Sequence, residues 1–327
     1  MTHSNLSSQR DPAPRITFCD SLSRQQSFQD AVCAGLAQTH KAIPCRFLYD
    51  ARGSQLFDRI CDLPEYYPTR TETALLNRHA HEIADLAGAN ACLIELGSGS
   101  STKTRILLDA LEAPSCYVPI DVSREHLRSA AQTIANDYPD LEVIAISANY
   151  AEKTPLPETS ARRVAFFPGS TIGNLTRDEA VSLMADWRGR IGPGGSMVIG
   201  IDLRKDHALL EAAYDDQAGV TREFITNILQ RANRELDADF DRDAFGYEAI
   251  YREDVGRVEM NLISLRAQSV NIAGNNFEFA RGERVHVENS HKYSLEETRH
   301  LAEAAGFTPI ANFHGEPPWF TVQVWRA

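Results

Sequence analysis

The sequence predicts an α/β protein built around an open, mostly parallel sheet, and three features carry that prediction. A short apolar run over residues 91–94 leads into the glycine turn Glu95-Leu-Gly97-Ser-Gly99, after which apolar residues recur at helical spacing. Strand-like and helix-like segments then alternate up to about residue 203. The chain closes with a helix over residues 295–305 and two strand-like runs. This order predicts a seven-stranded sheet closed by an antiparallel hairpin.

Length, composition and charge limit the class of protein. The chain has 327 residues, of which 43% are hydrophobic, so it can bury a full core. A formal charge of −12 argues against nucleic acid or an anionic membrane as partner, because both favour basic surfaces. No apolar run approaches the length of a membrane span. Residues 1–17 are polar and lack the apolar core of a signal peptide, so we expect a flexible tail.

The cysteines indicate a reducing compartment and no metal site. They show neither a C-x-x-C pair nor the spacing of metal ligands. We therefore expect reduced thiols in a cytoplasmic protein, most of them packed in the core. The six are Cys19, Cys33, Cys45, Cys61, Cys92 and Cys116.

The remaining elements are predicted in chain order. Residues 63–70 are too rich in Tyr and Pro for a helix interior, and the aromatic residues over 49–67 are predicted to lie in an irregular stretch. Ser123 is expected to cap the helix that it precedes. After residue 205 the alternation breaks, and a long helix followed by alternating strands predicts an inserted lobe up to about residue 288. Helices are predicted over residues 24–38, 72–87, 123–135, 177–187 and 220–237, and strands over residues 117–122, 141–146, 196–203 and 257–266 and from residue 163 onward.

The glycine turn favours S-adenosylmethionine over a dinucleotide. A dinucleotide fingerprint needs a third glycine, and Thr102 stands there, while Glu95 could meet the ammonium of S-adenosylmethionine. Asp121 ends the next strand, where a carboxylate can accept ribose hydroxyls; the alternative is that it caps the following helix. Asn149 and Tyr150 could take the adenine edge and face, or form a turn beside a core tyrosine. A nicotinamide dehydrogenase is the rival with the same fold.

Six ordered motifs resemble the histidine-specific Nα-methyltransferases of ergothioneine biosynthesis, from about residue 20 to the C-terminus. They are Phe47-Leu-Tyr-Asp, Gly53-Ser-x-Leu-Phe-Asp, Leu63-Pro-Glu-Tyr-Tyr-Pro-Thr-Arg, Glu95-Leu-Gly-Ser-Gly, Gly169-Ser-Thr-Ile-Gly-Asn and Tyr214-Asp-Asp-x-Ala-Gly-Val-Thr. The resemblance implies trimethylation of the α-amino group of L-histidine to hercynine, with S-adenosylmethionine as methyl donor.

The same resemblance implies a Rossmann-like class I methyltransferase sheet with a second α+β domain for the substrate. Residues 18–70 and 205–290 would form the second domain, and residues 71–204 and 291–327 the cofactor domain. A monomer is expected, with L-histidine as its small-molecule partner.

The resemblance also assigns roles to residues. Gly97, Lys103, Asp121, Asn149 and Tyr150 would hold the cofactor, although the family has Asp where Asn149 stands. Asn174 and Tyr214 would bind the substrate carboxylate, and Tyr66 would lie at its amino end. Glu288 and Ser290 would take the imidazole, with Met260 lining the ring pocket. Tyr49, Phe57 and Tyr66 would form aromatic walls around the amine, because ring faces tolerate a methylated ammonium.

Two alternatives stay open at this stage. Another amino acid, such as tryptophan, tyrosine or a thiolated histidine, could be the substrate of the same chemistry. A non-catalytic binding protein would keep the core but lose the polar site residues, and those residues are present in this chain.

Overall fold

The computed structural model describes residues 15–20, 27–99 and 101–327. Most of the predicted tail (residues 1–14), the start of the first predicted helix and residue 100 beside the glycine turn lie outside the described residues.

The main sheet has eight strands in the order β1-β4-β3-β2-β5-β6-β13-β12. The first six in this order are parallel, whereas β13 runs antiparallel to both β6 and β12. The predicted seven strands and closing hairpin are confirmed, and β1 is an additional edge strand. The strands are β1 (Ile16–Asp20), β2 (Cys92–Leu96), β3 (Cys116–Asp121), β4 (Glu142–Ser147), β5 (Arg163–Phe167), β6 (Ser196–Asp202), β12 (Thr308–His314) and β13 (Phe320–Arg326).

Helices cover both faces of this sheet, which explains why its central strands are apolar runs rather than alternating ones. Helices α3 (Tyr67–Ala87), α4 (Thr102–Ala110) and α5 (Arg124–Asp137) pack their apolar sides on one face. Helices α6 (Arg177–Ile191) and α9 (Leu295–Ala304) pack on the other face. The carboxyl ends of the parallel strands face the rest of the chain.

The rest of the chain forms what we call the smaller lobe. Strands β11, β8 and β7 form an antiparallel sheet, and β9 and β10 form a hairpin. One hydrophobic cluster joins residues 31–67 with residues 210–287, so two distant stretches share a core. The smaller lobe comprises α1 (Phe28–Leu36), α2 (Ala51–Cys61), α7 (His207–Tyr214), α8 (Val220–Leu236), β7 (Phe245–Arg252), β8 (Arg257–Ser264), β9 (Gln268–Ile272), β10 (Asn275–Phe279) and β11 (Arg284–His291).

Three local expectations are wrong. The stretch over residues 45–70 contains α2, whose cap Asp50 accepts a 2.7 Å hydrogen bond from the Gly53 amide. It also contains the start of α3, because Pro68 lies in the first turn, where a helix needs no amide hydrogen. Ser123 precedes α5 but makes no side-chain cap, and its own amide donates to Asp121 Oδ1 at 2.8 Å.

The cysteines also differ from expectation. Cys92 and Cys116 are register partners on β2 and β3 and form a disulfide, so the expectation of six reduced thiols is wrong for this pair. The other four cysteines are free. Within the described ranges, no cluster of His, Cys, Asp and Glu is arranged to hold a metal, and no helix is long and apolar enough to cross a membrane.

Candidate active site

A cavity of about 190 Å³ lies between the carboxyl ends of the parallel strands and the smaller lobe. Its sheet side is lined by the residues that directly follow β2, β3, β4 and β5. Its other side is lined by residues of α2, α7, α8, β8 and β11. Open α/β sheets bind their ligands at this edge, so the cavity is the candidate active site.

The glycine turn exposes its backbone to this cavity. Gly97 and Gly99 have φ angles of +74° and +48°, in the left-handed region that favours glycine. A Cβ on Gly99 would meet no atom within 4 Å, so a ligand can approach the main chain here closely. A Cβ on Gly97 would lie 3.7 Å from the Tyr150 ring, which packs over the turn.

Asp121 faces the same part of the cavity and also organises the loops around it. Its Oδ2 accepts a hydrogen bond from the Gly99 amide at 3.2 Å, and its Oδ1 accepts one from Ser123. Burial raises the pKa of Asp121 above its usual value. Each carboxylate oxygen retains a second lone pair, so the group can still accept hydroxyl donors from a ligand.

Asn149 and Tyr150 follow β4 and line the cavity beside the turn. The Asn149 amide is engaged locally, since its oxygen accepts from the Ala151 amide at 3.0 Å and its nitrogen donates to Glu152 at 3.3 Å. The Tyr150 ring packs edge-on against Phe167 with 5.3 Å between centroids. Asn149 thus forms a turn and borders the cavity at once.

Two polar residues near the turn, Glu95 and Lys103, do not line the cavity. Glu95 is buried and accepts hydrogen bonds from Tyr117 and, at 2.6 Å, from Thr104; burial raises its pKa to about 8. It does not line the cavity, so the expectation that it meets a cofactor ammonium is wrong. Lys103 also does not line the cavity and is hydrogen-bonded to buried Glu72.

Glu72 connects Lys103 to the loop after β5. Both of its carboxylate oxygens accept from the Gly169 amide, at 3.0 and 2.9 Å. The same loop ends at Asn174, and its Gly173 packs so tightly on β11 that a Cβ would lie 2.8 Å from the His291 carbonyl oxygen. The loop over residues 169–174 is therefore fixed at both ends.

Aromatic rings line the part of the cavity next to the smaller lobe. Ring centroids are separated by 5.6 Å for Tyr49 and Phe57, 6.4 Å for Phe57 and Tyr66, and 5.9 Å for Tyr66 and Tyr214. All three pairs are edge-to-face, and all four rings line the cavity. Burial raises the pKa of Tyr49 and Tyr66 well above the usual value, so both phenols stay neutral.

Glu288 and Ser290 lie two residues apart on β11, and both reach the cavity. Glu288 is opposite Met260 in the strand register and accepts a 2.9 Å hydrogen bond from the Asn174 amide. It is only 7% exposed, and burial raises its pKa to about 8. Ser290 Oγ lies 2.7 Å from the Tyr214 hydroxyl.

The buried side chain of Lys292 donates hydrogen bonds to the hydroxyls of Tyr214 and Ser290. Lys292 Nζ lies 2.6 Å from Asp202 Oδ2, 2.7 Å from Tyr214 Oη and 2.8 Å from Ser290 Oγ. Lys205 contacts the other Asp202 oxygen at 2.6 Å. Burial alone would raise the pKa of Asp202, but the two lysines hold it below its usual value.

The chain is similar to known proteins over most of its length. A family model described as histidine-specific, SAM-dependent methyltransferase matches residues 28–327. The chain belongs to this family. It is 45% identical over 291 residues to the histidine N-alpha-methyltransferase of Mycolicibacterium smegmatis, covering 86% of this chain and 89% of that protein.

Two further relatives agree with this assignment. The methyltransferase is 40% identical over 284 residues to the histidine N-alpha-methyltransferase of Mycobacterium tuberculosis, covering 85% of this chain and 88% of that protein. It is 32% identical over 286 residues to ergothioneine biosynthesis protein 1 of Neurospora crassa, covering 84% of this chain but 32% of that longer protein.

The residues around the glycine turn fit the methyl donor of this family, S-adenosylmethionine. The open backbone at Gly99 and the carboxylate of Asp121 border one end of the cavity, and Tyr150 offers a ring beside them. Every site residue predicted for this methyltransferase lines the cavity except Glu95 and Lys103. Lys103 is linked to the 169–174 loop through Glu72.

Some residues at the site were not predicted. Lys292 had a signal in the sequence, because a lysine follows directly on the strand that carries Glu288 and Ser290. The others are scattered polar, thiol or aromatic positions without a shared pattern. Lining residues missed from the sequence include Cys45, Ser54, Asp58, His126, Thr221 and Phe224.

Proposed function

We propose that the protein transfers methyl groups from S-adenosylmethionine to the α-amino group of L-histidine until hercynine is formed, a step towards ergothioneine. The observation that carries the proposal is one cavity with an exposed glycine turn at one end and two buried polar pairs at the other, Asn174 with Glu288 and Tyr214 with Ser290. The names of the relatives in two mycobacterial species support the choice of histidine.

The residues at the carboxyl ends of the parallel strands would bind the cofactor. S-adenosylmethionine supplies an electrophilic methyl group on a sulfonium. Asp121 accepts the ribose hydroxyls, Gly97 and Gly99 let the ligand approach the main chain, and Asn149 and Tyr150 border the adenine. Lys103 acts indirectly, because its partner Glu72 holds the Gly169 amide at the cavity wall.

The substrate half rests on the smaller lobe and the 169–174 loop. Asn174 and Tyr214 bind the carboxylate, since hydrogen bonds to a charged group are stronger than neutral ones. Glu288 and Ser290 pair with the two ring nitrogens, which an imidazole pocket must satisfy. Met260, opposite Glu288, packs against the ring.

The amine is held among aromatic rings. Methyl transfer from a sulfonium is a displacement that needs aligned and desolvated reactants, and the free amine rather than the ammonium is the nucleophile. Tyr49, Phe57 and Tyr66 surround this position, and no general base is assigned. The product nitrogen becomes permanently cationic, and ring faces stabilise it through cation–π attraction.

The proposal includes the organisation of the chain. Residues 18–70 and 205–290 form the substrate domain, and residues 71–204 and 291–327 form the cofactor domain. The shared hydrophobic cluster of residues 31–67 and 210–287 supports this division. Strand β1 is an exception, because it pairs with β4 in the main sheet. We propose a monomeric, cytoplasmic enzyme, and light scattering on the purified protein measures its mass.

Mass spectrometry tests the proposed function directly. The protein is incubated with S-adenosylmethionine and the twenty amino acids together, and the methylated products are identified. Trimethylated histidine is the expected product. Methylation of tryptophan or tyrosine in place of histidine would contradict the substrate, and binding of NAD without S-adenosylmethionine would contradict the reaction.

A further inference from the structure

Lys292 is a fully buried cation next to the cavity, yet no step of the proposed reaction uses it. Its side chain and that of its partner Asp202 are both 0% exposed. Its main chain is also held, because its amide donates to Gly256 and its carbonyl accepts from Arg177. Burying an ammonium costs several kcal/mol unless it is paired and hydrogen-bonded, so its position needs an explanation.

The hydrogens around Lys292 can be assigned. An ammonium has three donors, and the three partners within 2.8 Å are Asp202, Tyr214 and Ser290. Lys292 therefore has no hydrogen left for a substrate. The two hydroxyl oxygens both accept from it and lie 2.7 Å apart, so one hydroxyl donates to the other. One hydroxyl hydrogen of the pair remains, and both hydroxyls line the cavity.

The charges around Lys292 do not cancel. Asp202 is one carboxylate, and it contacts two ammonium groups, Lys292 at 2.6 Å and Lys205 at 2.6 Å. Lys205 already compensates Asp202 and donates a further hydrogen bond to Tyr67 at 2.7 Å. Of these three groups, one positive charge is left over, and Lys292 carries it beside the hydroxyls of Tyr214 and Ser290. Glu288 is a further acid whose charge interacts with Lys292.

We propose that Lys292 is a positioning residue that makes substrate binding depend on a free carboxylate. It fixes the two hydroxyls so that Ser290 donates to Tyr214 and Tyr214 donates the one remaining hydrogen to the substrate carboxylate, while the Ser290 oxygen can still accept a ring N–H. The charge of Lys292 makes the Tyr214 donor stronger. The ligand class follows: α-amino acids with an ionised carboxylate are favoured over the corresponding amines, amides and esters. This inference rests on the proposed function, since it concerns the same substrate.

A purely structural role would make Lys292 a second partner of Asp202, equivalent to Lys205. The two lysines therefore provide a matched pair of variants, Lys292→Met and Lys205→Met. Each removes one ammonium from Asp202 and leaves the other, and methionine approximates the lost volume. Only Lys292 contacts the hydroxyls that line the cavity.

The affinity for L-histidine is measured by calorimetry with S-adenosylhomocysteine bound, which prevents turnover. We expect Lys292→Met to raise the histidine Kd by about tenfold or more, the range for a lost hydrogen bond to a charged group. We expect Lys205→Met to raise it by less than about threefold. Equal effects of the two variants, or no effect of Lys292→Met, would overturn the inference.

A double-mutant cycle with Tyr214→Phe tests whether Lys292 acts through the hydroxyl pair. We expect the two changes to be strongly non-additive, because residues in one hydrogen-bond network couple. Additive losses would show that the lysine acts by another route. Melting temperature and S-adenosylhomocysteine affinity report whether each variant is folded.

Further variants test the inference if Lys292→Met does not fold. If Lys292→Met does not fold, Lys292→Gln keeps a neutral donor and is expected to weaken histidine binding as well. If neither variant folds, Tyr214→Phe alone must weaken histidine binding by about tenfold. A smaller loss contradicts the inference that the Tyr214 hydroxyl, held by Lys292, binds the carboxylate strongly. Wild-type protein that fails to bind histidine would contradict the proposed function, whereas normal wild-type binding with indistinguishable lysine variants would contradict this inference alone.

Discussion

Substitution of Glu288 tests how the protein selects the ring of its substrate. Glu288 is 7% exposed, faces Met260 across the strand pair and holds the Asn174 amide at 2.9 Å. Glu288→Ala removes the proposed partner of one imidazole nitrogen and leaves a larger, less polar space beside Met260. The substitution also releases Asn174, whose other amide hydrogen is proposed to contact the carboxylate.

The magnitude follows from the buried hydrogen bonds that are lost. A buried polar group left without its hydrogen-bond partner costs about 1–3 kcal/mol, which is roughly 5- to 150-fold in a specificity constant. An apolar pocket discriminates weakly between side chains, whereas a hydrogen-bonding pocket rejects analogues that lack the partner. We therefore expect kcat/KM for histidine to fall by this factor while tryptophan and phenylalanine are accepted better than by the wild type.

The assay compares the ratio of kcat/KM for histidine over tryptophan in the wild type, in Glu288→Ala and in Glu288→Gln. The glutamine variant is the control, because it keeps the volume and an oxygen that can accept from Asn174. It should lose less histidine activity than alanine and gain little for tryptophan. A ratio that stays unchanged in Glu288→Ala would refute the imidazole role. A parallel fall for both substrates would mean that Glu288 only supports the fold.

Three further predictions concern the cofactor, the carboxylate and pH. Asp121→Ala should weaken S-adenosylmethionine binding by about 1–3 kcal/mol in calorimetry, since ribose hydroxyls would lose their acceptor; unchanged affinity would remove Asp121 from the site. Asn174→Ala should raise the KM for histidine and leave cofactor affinity similar, and histamine should be a very poor substrate of the wild type; rapid histamine methylation contradicts this. Burial raises the pKa of Glu288 from 4.5 to about 8, so the folded protein retains a proton that the unfolded chain releases. Wild-type stability should therefore fall relative to Glu288→Gln as pH rises from 4.5 to 8, by up to about 5 kcal/mol, and parallel melting curves across this range would contradict it.

Much of the fold was predictable because each central strand is a short apolar run bounded by turn residues in the sequence. Strand β2 was expected over residues 91–94 and is observed over Cys92–Leu96, and Asp121 ends β3 as predicted. Strand β1 was missed because four of its five residues are exposed and show no buried pattern. Helix α2 was missed because its two-residue signal, Asp50 before Gly53, is weak beside the surrounding tyrosines and prolines.

The site was less predictable wherever its contacts join distant parts of the chain. Lys103 pairs with Glu72, 31 residues away, and Asp202 pairs with Lys292 across a separation of 90 positions. No local pattern specifies such pairs, because they form only when elements that are distant in the chain pack together. Glu95 illustrates the opposite error, since an acid beside the glycine turn suggests a ligand, but its side chain points to Thr104 and Tyr117.

The arrangement of β11 bears on how substrate range can change during evolution. Alternate residues of this one strand face the cavity, and they lie apart from the turn and loops that border the methyl donor. Substitutions at residue 288, and opposite it on β8, would alter the proposed ring pocket while Gly97, Gly99 and Asp121 stay intact. A duplicated copy of this gene could thus acquire a new amino acid substrate through a few changes in one strand pair while it inherits its methyl-transfer chemistry unaltered.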